Sequence, residues 1–235
     1  MRNVVLVGEA GSGKSSIINM IAGDTVAPVS EVTGTRTCAA YSLQIRELKY
    51  NVHDTPGIQA RKLGTVTKYI SGLPDGVGLL VFCIRGRITE DAVAIYQHFS
   101  GILHGVPIVV VITGLEHEDP MQSWWTNNQA DFVVYGMSFD GSACVTTQRG
   151  KRSMFATQYE DSKESVEALI ATHFKQQAVS FYIVLAFHVL TWSQGIAHPT
   201  GTFAHNQTTA PQTSHHYSRH RCLCRRRRHH HHCSC

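Results

Sequence analysis

Gly8, Gly13, Lys14 and Ser15 stand in the spacing G-x-x-x-x-G-K-S within GEAGSGKSS, residues 8–16. Glycines in this pattern let the backbone curl so that successive N–H groups point inward, a geometry suited to the oxygens of a phosphate chain. The cradle is Gly8, Glu9, Ala10, Gly11, Ser12, Gly13, Lys14, Ser15 and Ser16. Lys14 brings a point charge to the β- and γ-phosphates, and Ser15 offers a hydroxyl to Mg²⁺. The setting is the one such a loop requires. The apolar run Val4–Val7 before it reads as a buried strand, and Ser15–Ala22 after it reads as a helix whose positive end adds to phosphate binding.

Two further stretches carry matching chemistry. DTPG, Asp54 to Gly57, closes the strand-like run Leu48–His53, some 40 residues after the loop. A carboxylate there holds Mg²⁺, directly or through water, opposite the Ser15 hydroxyl. Gly57 gives an N–H to a γ-phosphate and is expected to act as a hinge. VTGTRTC, Val32 to Cys38, is polar and threonine-rich. A nucleotide switch needs one threonine in this place, its hydroxyl on Mg²⁺ and its N–H on the γ-phosphate. Thr33, Thr35 and Thr37 all qualify, and Thr35, in G-T-R, is favoured. Lys14, Thr35 and Gly57 are thus expected at the reacting phosphate, and Ser15, Thr35 and Asp54 at the metal.

The elements that must position these residues alternate along the chain. Cys38–Ile45 and Leu48–His53 are close enough to form an antiparallel hairpin. A loop and short helix follow over Gly57–Leu73. Leu79–Ile84 and Pro107–Thr113 are fully apolar and read as buried strands, with a helix at Thr89–Leu103 between them presenting Ala92, Ile95, Tyr96 and Phe99 on one face. A helix over Pro120–Met137, a short strand at Ala143–Thr147 and a closing helix at Asp161–His173 complete the series. In the Pro120–Met137 helix the adjacent Trp124 and Trp125 must point in different directions, one to the core and one to the rim. The expectation is an α/β fold in three layers, a mostly parallel sheet with one antiparallel hairpin strand and helices on both faces. Ligands in such sheets bind at the carboxyl ends of the strands, where all three motifs fall.

The order GxxxxGKS, threonine loop, DTPG resembles the translation-factor-related GTPases, with a Ras-like G domain of the P-loop NTPase fold. Within them the chain looks like the septin and immunity-associated branch, and is most similar to a group of G-domain proteins abundant in fungi. LLVFCIRGRIT (Leu79–Thr89), PIVVVITGLEHEDPMQSWW (Pro107–Trp125) and ACVTTQRGK (Ala143–Lys151) carry that likeness. It covers about residues 2–172. The resemblance implies binding of GTP or GDP with Mg²⁺. It also implies a base-reading motif after Pro107–Thr113, usually Asn-Lys-x-Asp, where this chain has TGLE, Thr113 to Glu116. A carboxylate at Glu116 can accept both guanine N1–H and the exocyclic amine. Gly114 lacks the lysine stem that would lie over the base, and Thr113 replaces asparagine. The fifth motif of the family falls on Val145–Thr147, with Thr146 or Thr147 near the base. Ile58 follows DTPG where Ras-like enzymes carry a water-orienting glutamine, so slow turnover is expected. Arg36 and Arg61 are candidates for charge stabilisation from the switch segments.

Composition sets the outer bounds. The length suits one domain, residues 1–175, and a tail. Residues 1–200 hold all 17 acidic residues against 15 of the 21 Lys and Arg, a net charge of −2, whereas the last 35 residues carry six Arg and no acid. The global +4 therefore describes the tail and gives no reason to expect nucleic acid on the domain. Cys38, Cys83 and Cys144 read as free thiols in a reducing compartment. A strand that begins at the N-terminus leaves no room for a signal peptide, so a cytoplasmic location is expected. Residues 176–200 include the apolar run Ala178–Trp192, read as a helix packed on the domain or a membrane-associating segment. Residues 201–235 are Thr/His/Gln-rich, then basic and Cys/His-rich, and are expected to be poorly ordered. Cys222, Cys224, Cys233 and Cys235 with His229–His232 fit no standard zinc finger, and a terminal Cys-Ser-Cys beside an Arg run has the form of a lipid anchor. The functional expectation is a slow GTPase used as a switch or assembly module, with a homodimer through the switch face. The alternatives are a non-hydrolysing scaffold that oligomerises on GTP and an ATP-dependent phosphotransferase.

Overall fold

Strands that are apolar at every position must be covered on both faces, and the chain provides helices for each. The computed structural model describes residues 1–29, 37–59 and 63–176. Within these, β1 is Asn3–Val7, α1 Lys14–Ala22, β2 Ala39–Ile45, β3 Leu48–Asp54 and α2 Leu63–Ser71. They are followed by β4 Leu79–Arg85, α3 Glu90–Ile102, β5 Ile108–Thr113, α4 Gln122–Val134, β6 Gly141–Cys144 and α5 Ala156–His173. The expected Thr35, with the rest of 30–36, lies outside the described residues, as do 60–62 and everything after Gln176.

The six strands form one sheet in the order β2-β3-β1-β4-β5-β6. β2 and β3 pair antiparallel, from Ala39 opposite Asp54 to Ile45 opposite Leu48, and every other pair is parallel. Alternation along the strands divides the core. Val4, Leu6, Leu79, Val81 and Cys83 face one way, with Ile17, Ile18 and Ile21 of α1 and Val166, Leu169 and Ile170 of α5. Val5, Val7, Leu80, Phe82 and Ile84 face the other, with α2, α3 and α4, including Ile70, Phe99 and Phe132. The three-layer α/β expectation holds. Trp124 is buried and Trp125 half-buried, both against Phe132.

Several boundaries differ from those expected, among them the helix expected over Pro120–Met137, which runs over Gln122–Val134. The last helix begins at Ala156, not Asp161, because a polar first turn is held from outside. Arg149 lies 4.2 Å over the Tyr159 ring and pairs with Glu160 at 2.7 Å. The strand expected at Ala143–Thr147 runs instead over Gly141–Cys144. Beyond Val145 the Thr146 N–H turns to the Ser162 hydroxyl of α5, at 3.0 Å, and the ladder ends. Among the described residues no helix is long and apolar enough to cross a membrane.

Candidate functional site

β1 sits where the strand order reverses, with its connection to α1 at the carboxyl edge of the sheet, the place where such folds bind ligands. The loop between them wraps its backbone around the Lys14 ammonium. Lys14 is buried, and its Nζ donates to the Gly8 carbonyl at 3.0 Å and the Glu9 carbonyl at 2.8 Å. Burial lowers its pKa from the ordinary lysine value, and Cys83, Asp54 and Glu9 oppose that shift. α1 starts at Lys14 itself, so the first N–H groups of the helix belong to the cradle.

Close contacts fix the loop on both sides. A Cβ on Gly8 would fall 2.2 Å from the Cys83 carbonyl oxygen, and one on Gly57 would fall 2.4 Å from Ala10 Cα. Only glycine fits either position while the loop stays packed between β4 and the DTPG turn. The Ile58 N–H donates to the Gly8 carbonyl at 3.1 Å, which joins the two motifs directly. Thr55 Oγ1 donates to the Leu6 carbonyl at 2.7 Å and pins the turn to β1. Thr113, also buried, lies within donating distance of the Ser12 carbonyl (3.1 Å) and the Ile84 carbonyl (3.3 Å). Its role here is to brace the phosphate loop against β4 and β5. Glu9 is held by Thr89, whose hydroxyl donates to Glu9 Oε2 at 2.7 Å while accepting the Ala92 N–H as the N-cap of α3.

Asp54 ends β3 fully buried, and Ser15 Oγ donates to its Oδ2 at 2.6 Å. The pair brings two hard oxygen donors together from separate elements at the mouth of the loop. That donor set fits Mg²⁺, which takes one or two protein oxygens and completes its octahedron with phosphate oxygens and water. No group of three or more His, Cys, Asp or Glu able to hold a metal occurs among the described residues.

A cleft of about 620 Å³ opens over these groups. Ala10, Gly11, Gly13, Lys14, Ser15, Ser16 and Gly57 line one end. Thr113, Gly114, Glu116, Thr147, Gln148 and Arg85 line the other, with Val29 at the edge. Gly8 and Ser12 are buried behind the loop. Glu116 is half-buried, and Thr146 Oγ1 lies 3.3 Å from its Oε2. Thr146 itself is fully buried, so it positions Glu116 from behind while Thr147 and Gln148 face the cleft. Ile58 is 2% exposed and packs into the core beside Val66 and Ile70. Arg85, Gln148 and the Thr89–Glu9 contact escape sequence reasoning. Only the missing stem at Gly114 hints that another residue fills that space.

The chain's likeness to known proteins follows the same geometry. Residues 3–114 match the family described as 50S ribosome-binding GTPase. The tRNA modification GTPase MnmE of Burkholderia lata is 30% identical over 116 residues, 47% of this chain and 24% of that protein. An EngB protein of Aquifex aeolicus is 30% identical over 127 residues, 48% of this chain and 66% of its own length. The chain therefore spans about a quarter of MnmE. The crystal structure of Era from Aquifex aeolicus bound to GDP·AlF4⁻ superposes with a TM-score of 0.52 at 21% identity, over 68% of this chain and 57% of Era. That likeness shows the same fold. With the phosphate loop, the DTPG turn and Glu116 gathered on one cleft, the chain has the fold of a P-loop GTPase, and residues 3–114 carry the likeness to the 50S ribosome-binding GTPase family.

Proposed function

We propose that this protein binds GTP and GDP with Mg²⁺ in the cleft and hydrolyses GTP slowly, as a nucleotide-dependent switch or assembly module. The observation that carries this reading is the convergence of Lys14, the Ser15–Asp54 pair and Glu116 on one cavity of a size suited to a nucleotide. Lys14 and the loop N–H groups would hold the phosphates. Ser15 and Asp54 would hold Mg²⁺, which supplies charge neutralisation between the β- and γ-phosphates. Glu116, oriented by Thr146, would accept the two N–H groups on the guanine edge, a pairing that adenine cannot offer. Hydrolysis is slow on this reading because Ile58 is packed in the core and carries no group that orients water. Assembly through the switch face is the mode of action we favour. The buried free thiols Cys83 and Cys144 fit the cytoplasm, and attachment of the tail to membranes would be an added layer.

Titration of the full chain with GTP, GDP and ATP in Mg²⁺ tests this. GTP and GDP should bind, and ATP should bind at least tenfold more weakly. Glu116→Ala should cost about 1.5–3 kcal/mol in GTP affinity through the lost charge-assisted bonds, and should scarcely alter binding of xanthosine triphosphate. Equal affinity of the unmutated chain for GTP and ATP would remove Glu116 from base reading. The non-hydrolysing scaffold is the second reading, favoured by the same burial of Ile58, and is distinguished by GTP binding with no phosphate release.

A further inference from the structure

We infer that Arg85, the last residue of β4, is the platform that lies against the face of the nucleotide base. The inference rests on the guanine-nucleotide reading of the cleft and adds a residue to it. Three observations place Arg85 there. It pairs in register with Thr113, which puts it beside the first residue of TGLE at the carboxyl edge of the sheet. Its side chain occupies the space that a side chain at 114 would fill. An ideal Cβ on Gly114 would lie 3.2 Å from both Cγ and Nε of Arg85, and Gly114 holds a φ of +80 that disfavours any other residue. Arg85 also lines the same cleft as Glu116, Thr147 and Gln148.

The chemistry follows from what Gly114 gives up. A carboxylate such as Glu116 reads the edge of a purine but leaves its two faces to be covered. Gly114 carries no stem to cover one, and its missing side chain lets the Arg85 stem run across it. The guanidinium at the end of that stem is planar, delocalised and weakly hydrated, and stacks on aromatic and nucleobase faces. Arg85 is exposed and forms no ion pair among the described residues. The site thus takes its edge reading from the β5–α4 loop and its face contact from the neighbouring strand.

The test compares the full chain with Arg85→Ala and Arg85→Lys, using GTP, inosine triphosphate and base-less ribose 5′-triphosphate in competition with a fluorescent GTP analogue. A stacking cation contributes enough to predict that Arg85→Ala weakens GTP about 3- to 30-fold. Inosine triphosphate should weaken by the same factor, because a platform senses the ring face and not its edge. Ribose 5′-triphosphate should bind Arg85→Ala as it binds the unmutated chain. Arg85→Lys should fall between, since it keeps charge without the plane. The melting temperature without nucleotide should be unchanged, as the side chain is exposed. Unaltered GTP affinity in Arg85→Ala would overturn the assignment. So would an equal loss for ribose 5′-triphosphate, which would make Arg85 a phosphate contact. If the unmutated chain binds no GTP, the nucleotide reading itself falls and this assignment with it; GTP binding that is insensitive to Arg85 removes the assignment alone.

Discussion

A buried lysine is costly to a fold unless something compensates its lost hydration. At Lys14 the compensation is partial, for its pKa is lowered by burial and its partners are two loop carbonyls and, at 3.4 Å, the Ser12 hydroxyl. Each carbonyl keeps another donor without it: Gly8 O takes the Ile58 N–H, and Glu9 O takes the Ser12 N–H. Lys14→Met should therefore leave the melting temperature of the nucleotide-free protein unchanged or raised while abolishing Mg-GTP binding. A variant that still binds would remove the phosphate loop from the proposed site. Gly57 predicts a different profile. Its missing Cβ would fall on the Ala10 backbone, so Gly57→Ala must push the phosphate loop aside. It should lower GTP affinity at least about tenfold and cost about 1–3 kcal/mol of stability. Denaturant unfolding and nucleotide titration of the same preparation check both effects. Gly8, Lys14 and Ser15 are legible without a structure because they share one short loop of fixed spacing, and Asp54 and Gly57 because DTPG is a contiguous string closing a strand-like run. Arg85 is not legible in that way, for it comes from a neighbouring strand. Thr146 is expected near the base only through the resemblance, and its reach to Glu116 across 30 residues of chain is a product of the fold.

Elements were legible in proportion to how strongly the core patterns them. β4 and β5 are apolar throughout, and α3 shows its Ala92, Ile95, Tyr96 and Phe99 face, so type and position follow from burial alone. α5 misled at its start because its first turn is polar and is stabilised by Arg149 from outside the helix. β6 misled at its end because a hydroxyl of α5 takes the next backbone N–H. β3 carries a second consequence. His53, one residue before Asp54, is buried between the Tyr69 hydroxyl (2.8 Å from Nδ1) and Asn3 Oδ1 (3.3 Å from Nε2). The Asn3 oxygen can only accept, so Nε2 carries the proton and Nδ1 accepts from Tyr69. Burial pulls the His53 pKa down from 6.5 to about 4. The unfolded chain therefore takes up this proton first as pH falls, and the folded state loses stability from about pH 6.5 down to 4. Above pH 6.5 the contribution is complete. The slope due to this group reaches up to about 1.4 kcal/mol per pH unit. Urea midpoints at pH 6.5 and 4.5 should drop further for the natural chain than for His53→Gln, which keeps a donor and an acceptor but cannot titrate. Equal drops would show that the ring is hydrated or already charged in the fold.

At the scale of the molecule, the proposed slow turnover rests on what surrounds Ile58. Ile58 is held by the core on its side chain and by the Gly8 carbonyl on its N–H, so the position after DTPG is spent on structure. Of the other described residues at the phosphate end of the cleft, Ala10, Gly11, Gly13 and Gly57 bring no side chain suited to orienting water, and Lys14 and Ser15 are engaged with the loop and with Asp54. Intrinsic turnover should then be no faster than that of unassisted Ras-like domains, on the order of 10⁻⁴ to 10⁻² per second. If a second copy completes the site through the switch face, single-turnover rates should rise with protein concentration, and the rise should follow dimer formation in GTP measured by sedimentation. Rates taken over a hundredfold range of concentration separate the cases. A rate that stays slow and flat would place this protein with nucleotide-binding scaffolds or with GTPases that await a different partner. A fast rate independent of concentration would locate a catalytic group within the single chain and overturn the argument from Ile58.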